Sequence, residues 1–182
     1  MDTKNIWIWG DSWGVPNYCV PQMGFRAKYH LSEMLCDFGY QVTNMSANGA
    51  GNLHSICEAE KLIRASESAE DFPGWVVWFH TGILRDCDQN STNSVSLIDS
   101  VSDQTYQRAA KVIDQTQAGL VVIEGHAPIA ENRFAQHLKP NLLIRNWRGH
   151  ILGKPDLPQS HWYTGYNLLM QDTIMSAEVK NA

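Results

Sequence analysis

A serine hydroxyl becomes a nucleophile when a base takes its proton and a third group orients that base. Ser12 is the first candidate for such chemistry, because it closes an apolar run: Ile6-Trp7-Ile8-Trp9-Gly10-Asp11-Ser12-Trp13-Gly14. A buried strand that stops at Gly-Asp-Ser carries the hydroxyl to the end of a sheet, where α/β proteins bind their ligands. The plainer alternative is a serine that caps the next segment, with Asp11 organising the turn by local hydrogen bonds. Four histidines are candidates for the base: His80, His126, His150 and His161. His30, His54 and His137 fall in helical stretches and suit surface or packing roles. His161 stands apart, because Asp156 lies shortly before it in Pro155-Asp156-Leu157-Pro158-Gln159-Ser160-His161.

Positioning such residues requires strands and helices in alternation. Strands are expected over 5–9, 41–45, 75–79 and 120–124, with a weaker fifth over 141–144. The third is wholly apolar, as when both faces of a sheet are covered. Helices are expected over 24–38, 52–68, 103–117 and 163–178. In the first of these, Phe25, Leu31, Met34, Leu35 and Phe38 keep helical spacing, and Gly39 supplies a stop. The stretch 89–102, rich in Asn, Ser, Thr and Asp, reads as a surface loop. Strand and helix in turn imply parallel strands with right-handed crossovers. The expected architecture is a single domain, 1–182, of three-layer α/β/α, flavodoxin-like type with about five parallel strands. Loops that follow strands then meet at one sheet edge, bringing 10–12, 44–52, 80–86 and 125–128 together.

In that order the polar blocks resemble those of the SGNH (GDSL-like) hydrolase family, over essentially the whole domain. Gly10-Asp11-Ser12 matches the nucleophile block, and Asn44-Met45-Ser46-Ala47-Asn48-Gly49-Ala50-Gly51-Asn52 matches the glycine block. His161, before the last expected helix, matches the base. The resemblance implies a flavodoxin-like fold and an ester hydrolase. Ser12 would be the nucleophile and His161 the base, and the Ser12 and Gly49 amides would donate to an oxyanion. Glycine suits the last role because no Cβ obstructs its N–H. Two departures from the family pattern stand out. The Gly-x-Asn-Asp block is replaced by Phe79-His80-Thr81-Gly82-Ile83-Leu84-Arg85-Asp86, so Thr81 or Arg85 would have to supply the missing donor. Pro158 occupies the usual acid position, which moves the acid to Asp156 or leaves a dyad. Asn52, and His126 in Gly125-His126-Ala127-Pro128, are further candidates to line the substrate pocket.

Plainer roles compete at several positions. Gly49 and Gly51 suit turns, Arg85 and Asp86 suit a loop ion pair, and His80 suits a strand end. Trp7 and Trp9 share one strand face and suit the core, while Trp13 suits the rim of a site. The bulk composition narrows the partners. A hydrophobic content of 43% with 18% charged residues fits a folded globular chain. A net charge of -5 without a Lys/Arg run gives no footprint for nucleic acid. No apolar run is long enough to span a bilayer. The four cysteines form no Cys-x-x-Cys and no close pairing with His, which disfavours a zinc site. Hydrolysis through a serine needs neither metal nor organic cofactor, so none is expected. Asp2 and Lys4 lead directly into the first strand, so no signal peptide is expected and the location expected is the cytoplasm. The partner expected is a small-molecule or glycan ester. The alternative is a binding or structural module with weak or no catalysis. The Thr81-x-x-x-Arg85 pattern resembles compact bacteriophage domains, implying a virion or glycan-binding role. A flavodoxin-type nucleotide site is disfavoured, since the first loop lacks small phosphate-cradling residues.

Overall fold

Isoleucine and tryptophan alternate along the first strand, and strand geometry sends them to opposite faces. This is β1, Asn5–Trp9. The computed structural model describes residues 5–11, 15, 19–20, 25–26, 31–87, 95–124, 129 and 131–144. Within them the order is β1, β2 (Cys19–Val20), β3 (Phe25–Arg26), α1 (Leu31–Asp37), β4 (Gln41–Asn44), α2 (Asn52–Ala65), β5 (Trp75–His80), α3 (Val95–Thr116), β6 (Gly119–Glu124), α4 (Glu131–His137) and β7 (Leu142–Ile144). Five strands form one parallel sheet in the order β4-β1-β5-β6-β7. This is the expected three-layer α/β, flavodoxin-like arrangement.

The sheet is buried on both faces, which explains why β5 is apolar throughout. On one face Trp7, Trp9, Val76, Trp78, Leu120 and Val122 pack with Ile56 and Ala59 of α2, Tyr106, Ala109 and Val112 of α3, and Phe134 of α4. On the other, Ile6, Ile8, Val77, Phe79, Val121 and Ile123 pack with Leu31 and Leu35 of α1. The Trp7 and Trp9 pair is therefore core, and Trp9 meets Trp78 edge-on with ring centroids 5.7 Å apart. Gly39 ends α1 at φ +86°, with its own N–H on the Cys36 carbonyl and the Tyr40 N–H on the Leu35 carbonyl.

Two expectations need correction. The helix expected over 24–38 begins at Leu31, and Phe25–Arg26 instead pairs antiparallel with Cys19–Val20. Pro21 and Gly24 lie between those two strands, a hairpin signal that overrides the helical period. The loop expected over 89–102 is helical from Val95. Its small polar residues are satisfied locally: the Ser102 hydroxyl donates to the Ile98 carbonyl at 2.7 Å, so it can be buried within a helix. Asp99 and Asp103 on the same helix pair with Arg133 of α4. Helix α4 ends at His137, which suits the helical stretch expected there, but its start at Glu131 carries no clear signal in the sequence. The helix expected over 163–178 lies outside the described residues.

Two glycines test this packing. A Cβ on Gly119 would stand 2.5 Å from the Trp75 ring, a buried neighbour with no room to move. A Cβ on Gly39 would meet nothing within 4 Å, so only its positive φ opposes substitution. Urea unfolding should show Gly119→Ala losing about 1–3 kcal/mol by overpacking. Gly39→Ala should lose about 1–2 kcal/mol from the left-handed backbone alone. A Gly119→Ala protein as stable as wild type would contradict the close approach.

Candidate active site

The chain leaves β1 for β4 on one side and returns through α2 to β5 on the other side of β1. In such sheets the crevice lies outside the carboxyl ends of the strands flanking this reversal. Here those ends carry Gly10 and Asp11 after β1, and 81–86 after β5. Gly10 is required by contact as well as by conformation. Its φ is +150°, and an added Cβ would lie 2.7 Å from the Phe79 Cβ. Its N–H donates to the Ser55 hydroxyl of α2 at 3.0 Å, and that hydroxyl donates to the Met45 carbonyl at 3.0 Å. One buried side chain thus joins the ends of β1 and β4.

The end of β5 is held from the same helix. The Asn52 side-chain carbonyl accepts from the Thr81 N–H at 3.0 Å and from Trp78 Nε1 at 3.2 Å. Its amide donates to the Thr81 carbonyl and to Asp86 Oδ2, each at 3.0 Å. Asn52 is fully buried. The substrate-lining role expected for it therefore does not match its place, since both amide hydrogens are already donated inside the protein. Residues Ile83–Asp86 then form one turn of 3₁₀ helix.

From that turn Asp86 reaches the N-terminus of α2. The N-cap of α2 is Gly51, which has no side chain to offer. Asp86 Oδ1 accepts from the Leu53 N–H at 2.8 Å in its stead. A side chain on Gly51 would overlap Asp86 and approach the Arg85 carbonyl to 2.9 Å. A helix N-terminus at this edge is the usual seat for a phosphate, and here the protein's own carboxylate fills it. Burial raises the Asp86 carboxyl above its ordinary 3.8, against the lowering effect of these hydrogen bonds.

Arg85 does not form the loop ion pair with Asp86 expected from their adjacency. Its guanidinium bonds Asp11 Oδ2 at 2.7 Å, so Asp11 takes part in a long-range pair as well as ending β1. Behind this edge, His80 Nε2 lies 3.1 Å from the Tyr106 hydroxyl, and its buried Nδ1 meets no partner among the described residues. Burial pushes the imidazole down to about 4 and the Tyr106 phenol up to about 12. His80 is thus a neutral strand-end residue of the core.

Of the expected site residues, Gly49, Asn52, Thr81 and Arg85 are described, and all lie at this edge. Gly49 is exposed in the turn closed by the Ala50 N–H on the Ala47 carbonyl, at φ +72°. Its own N–H has no partner among the described residues. Ser12, His126, Asp156 and His161 lie outside the described residues. Ser55 is not singled out by the sequence, Tyr106 reads there only as an apolar helix position, and Asp86 only as a loop partner of Arg85. For Ser55 the signal was its helical spacing with Asn52, Ile56 and Ala59 on the buried face of α2. Among the described residues no cluster of His, Cys, Asp or Glu could hold a metal ion, and no helix is long and apolar enough to cross a membrane.

No family model and no curated protein matches this sequence. A solved structure does match: the psychrotrophic esterase EstA from Pseudoalteromonas sp., in a form inhibited by monoethylphosphonate. The TM-score is 0.61 at 17% sequence identity, covering 95% of this chain and 97% of that one. What is shared is the fold.

Two measurements follow. Removing Asp86 with Asp86→Ala should cost about 1–3 kcal/mol in urea unfolding, because the Leu53 N–H and the Asn52 amide both lose an acceptor. His80 gives a pH signature. Its folded value of about 4 lies below its ordinary 6.5. The stability due to neutral His80 is fully present above about pH 6.5 and lost as pH falls towards 4. Between pH 7 and 4, wild type should therefore lose about 3 kcal/mol more than His80→Gln. Parallel stability curves for the two proteins would refute a buried neutral imidazole.

Proposed function

We propose that this chain is a serine ester hydrolase working through an acyl-enzyme on Ser12. The observation that carries the reading is that Gly10-Asp11 ends β1 at the reversal point of the sheet, with Ser12 next in the chain. The fold shared with an esterase supports it, as does the resemblance of the ordered blocks to SGNH hydrolases.

In the mechanism, Ser12 Oγ attacks the acyl carbonyl while His161 takes its proton. The tetrahedral oxyanion receives hydrogen bonds from the Ser12 and Gly49 N–H groups, and from the Thr81 hydroxyl as third donor, since the Arg85 guanidinium is engaged by Asp11. Collapse expels the alcohol, which takes the proton back from His161. Water, deprotonated by the same histidine, then attacks the acyl-enzyme and releases the acid, restoring Ser12. Asp156 orients His161. The substrate is a small acyl ester or an O-acetylated carbohydrate, and no metal or organic cofactor enters a step. The setting proposed is the cytoplasm.

A second reading draws on one specific observation. Asn52 is closed within the protein and no asparagine stands in the third block, so a donor is missing by family standards. Losing one such donor costs about a hundredfold or more in other hydrolases. The fold would then serve as a glycan-binding module, in a virion if the chain is phage-encoded.

A fluorophosphonate probe should label Ser12, and p-nitrophenyl acetate should be turned over. Ser12→Ala should abolish labelling and lower turnover by about a thousandfold or more. A folded wild type that shows neither would refute the hydrolase. Glycan binding by wild type and Ser12→Ala alike, without turnover, would establish the module instead.

A further inference from the structure

We propose that Arg85 is a positioning residue for the nucleophile and acts through Asp11; this rests on the reading of Ser12 as the nucleophile. Arg85 and Asp11 lie 74 residues apart in sequence and meet at 2.7 Å across the reversal point of the sheet. The Asp11 side chain is 2% exposed and that of Arg85 41%. A buried carboxylate that bonds a guanidinium takes its position from where the guanidinium is held. A single peptide link joins Asp11 to Ser12, so the bond restrains the backbone that carries the nucleophile.

The other end of the pair is fixed as firmly. The Arg85 N–H donates to the Gly82 carbonyl at 3.0 Å, one residue beyond the Thr81 peptide that Asn52 holds on both sides. The next residue, Asp86, is anchored on the Leu53 N–H and the Asn52 amide. Gly51 packs against the Arg85 carbonyl so closely that no side chain fits between them. The guanidinium thus projects from a turn tied to α2 on both sides. Misplacing a nucleophile by about 1 Å costs roughly a hundredfold in rate, which is the scale of control such a bridge exerts. Arginine rather than lysine suits the role, since a planar fork fixes direction where an ammonium fixes only charge.

The test compares wild type, Arg85→Gln, Arg85→Lys, Asp11→Asn and the double variant Asp11→Asn/Arg85→Gln. It measures kcat and KM for p-nitrophenyl acetate, the rate of fluorophosphonate labelling of Ser12, and the melting temperature. Arg85→Gln should lower kcat and labelling by about ten- to a hundredfold, with KM within about twofold. Arg85→Lys should recover part of the loss. Asp11→Asn should reproduce it, and the double variant should be no slower than the slower single variant, because both single variants break the same Asp11–Arg85 bond. A folded Arg85→Gln protein with unchanged kcat and labelling overturns the proposal. So does a loss seen in Arg85→Gln but absent in Asp11→Asn, which would make Arg85 a direct contact of the reacting oxygen, and so does a loss confined to KM. Where Arg85→Gln does not fold, Arg85→Lys and Asp11→Asn decide, and unchanged kcat in both overturns it. A folded wild type that neither labels nor turns over removes the nucleophile and this proposal with it. An active wild type with unaffected variants removes the proposal alone.

Discussion

The edge of this sheet depends on one buried amide. Asn52 opens α2 and gives its whole hydrogen-bonding capacity to the end of β5: the Thr81 peptide on both sides, the Trp78 indole and Asp86. In a low-dielectric interior an unpaired amide is costly and a fully paired one is directional. Because all of its bonds are made, Asn52 sets where β5 stops and where the turn Ile83–Asp86 begins. That turn in turn supplies two carboxylate contacts, Asp86 on the α2 N-terminus and Arg85 on Asp11. Ser55, one helical turn after Asn52, does the same for β1 and β4 through the Gly10 N–H and the Met45 carbonyl. Two polar residues on the buried stripe of α2 therefore align three strand ends.

Glycine makes this geometry affordable in space. At Gly10 the last turn of β1 passes against Phe79, and at Gly51 the start of α2 passes against Arg85 and Asp86. A side chain at position 51 would compete for the space that Asp86 occupies, so the absence of a local cap and the presence of a remote one are the same fact. The cap from Asp86 links a helix start to a loop that follows another strand. Local capping would have stabilised α2 equally well without tying it to the crevice.

The sheet was legible in the sequence because its strands are short apolar runs separated by amphipathic helices, and the end of β1 came out to the residue. Periodicity failed where polar side chains find local partners. Helix α3 begins at Val95 because Ser102 bonds its own helix and Asp99 and Asp103 meet Arg133, none of which hydropathy records. The first helix reads too early because strands of two residues leave almost no periodic signal. At the site, motif order marked Gly49, Asn52, Thr81 and Arg85, and all four do lie at one edge. Their partners were not legible. Asn52 carries the residue type of a substrate donor, but burial makes it a clamp, and Arg85 stands beside one carboxylate while bonding another far away in sequence.

The charges of the crevice follow from the same contacts. Among the described residues, two carboxylates stand at the reversal point. Asp11 faces the Arg85 guanidinium, and Asp86 faces the N-terminus of α2, which carries roughly half a positive charge. Each anion is thus answered by its own cationic group. The burial that raises the Asp86 carboxyl shows the cost of holding charge here. Under the proposed function the substrate is a neutral ester, whose negative charge appears only as the tetrahedral intermediate forms, when N–H donors such as that of Gly49 would meet it.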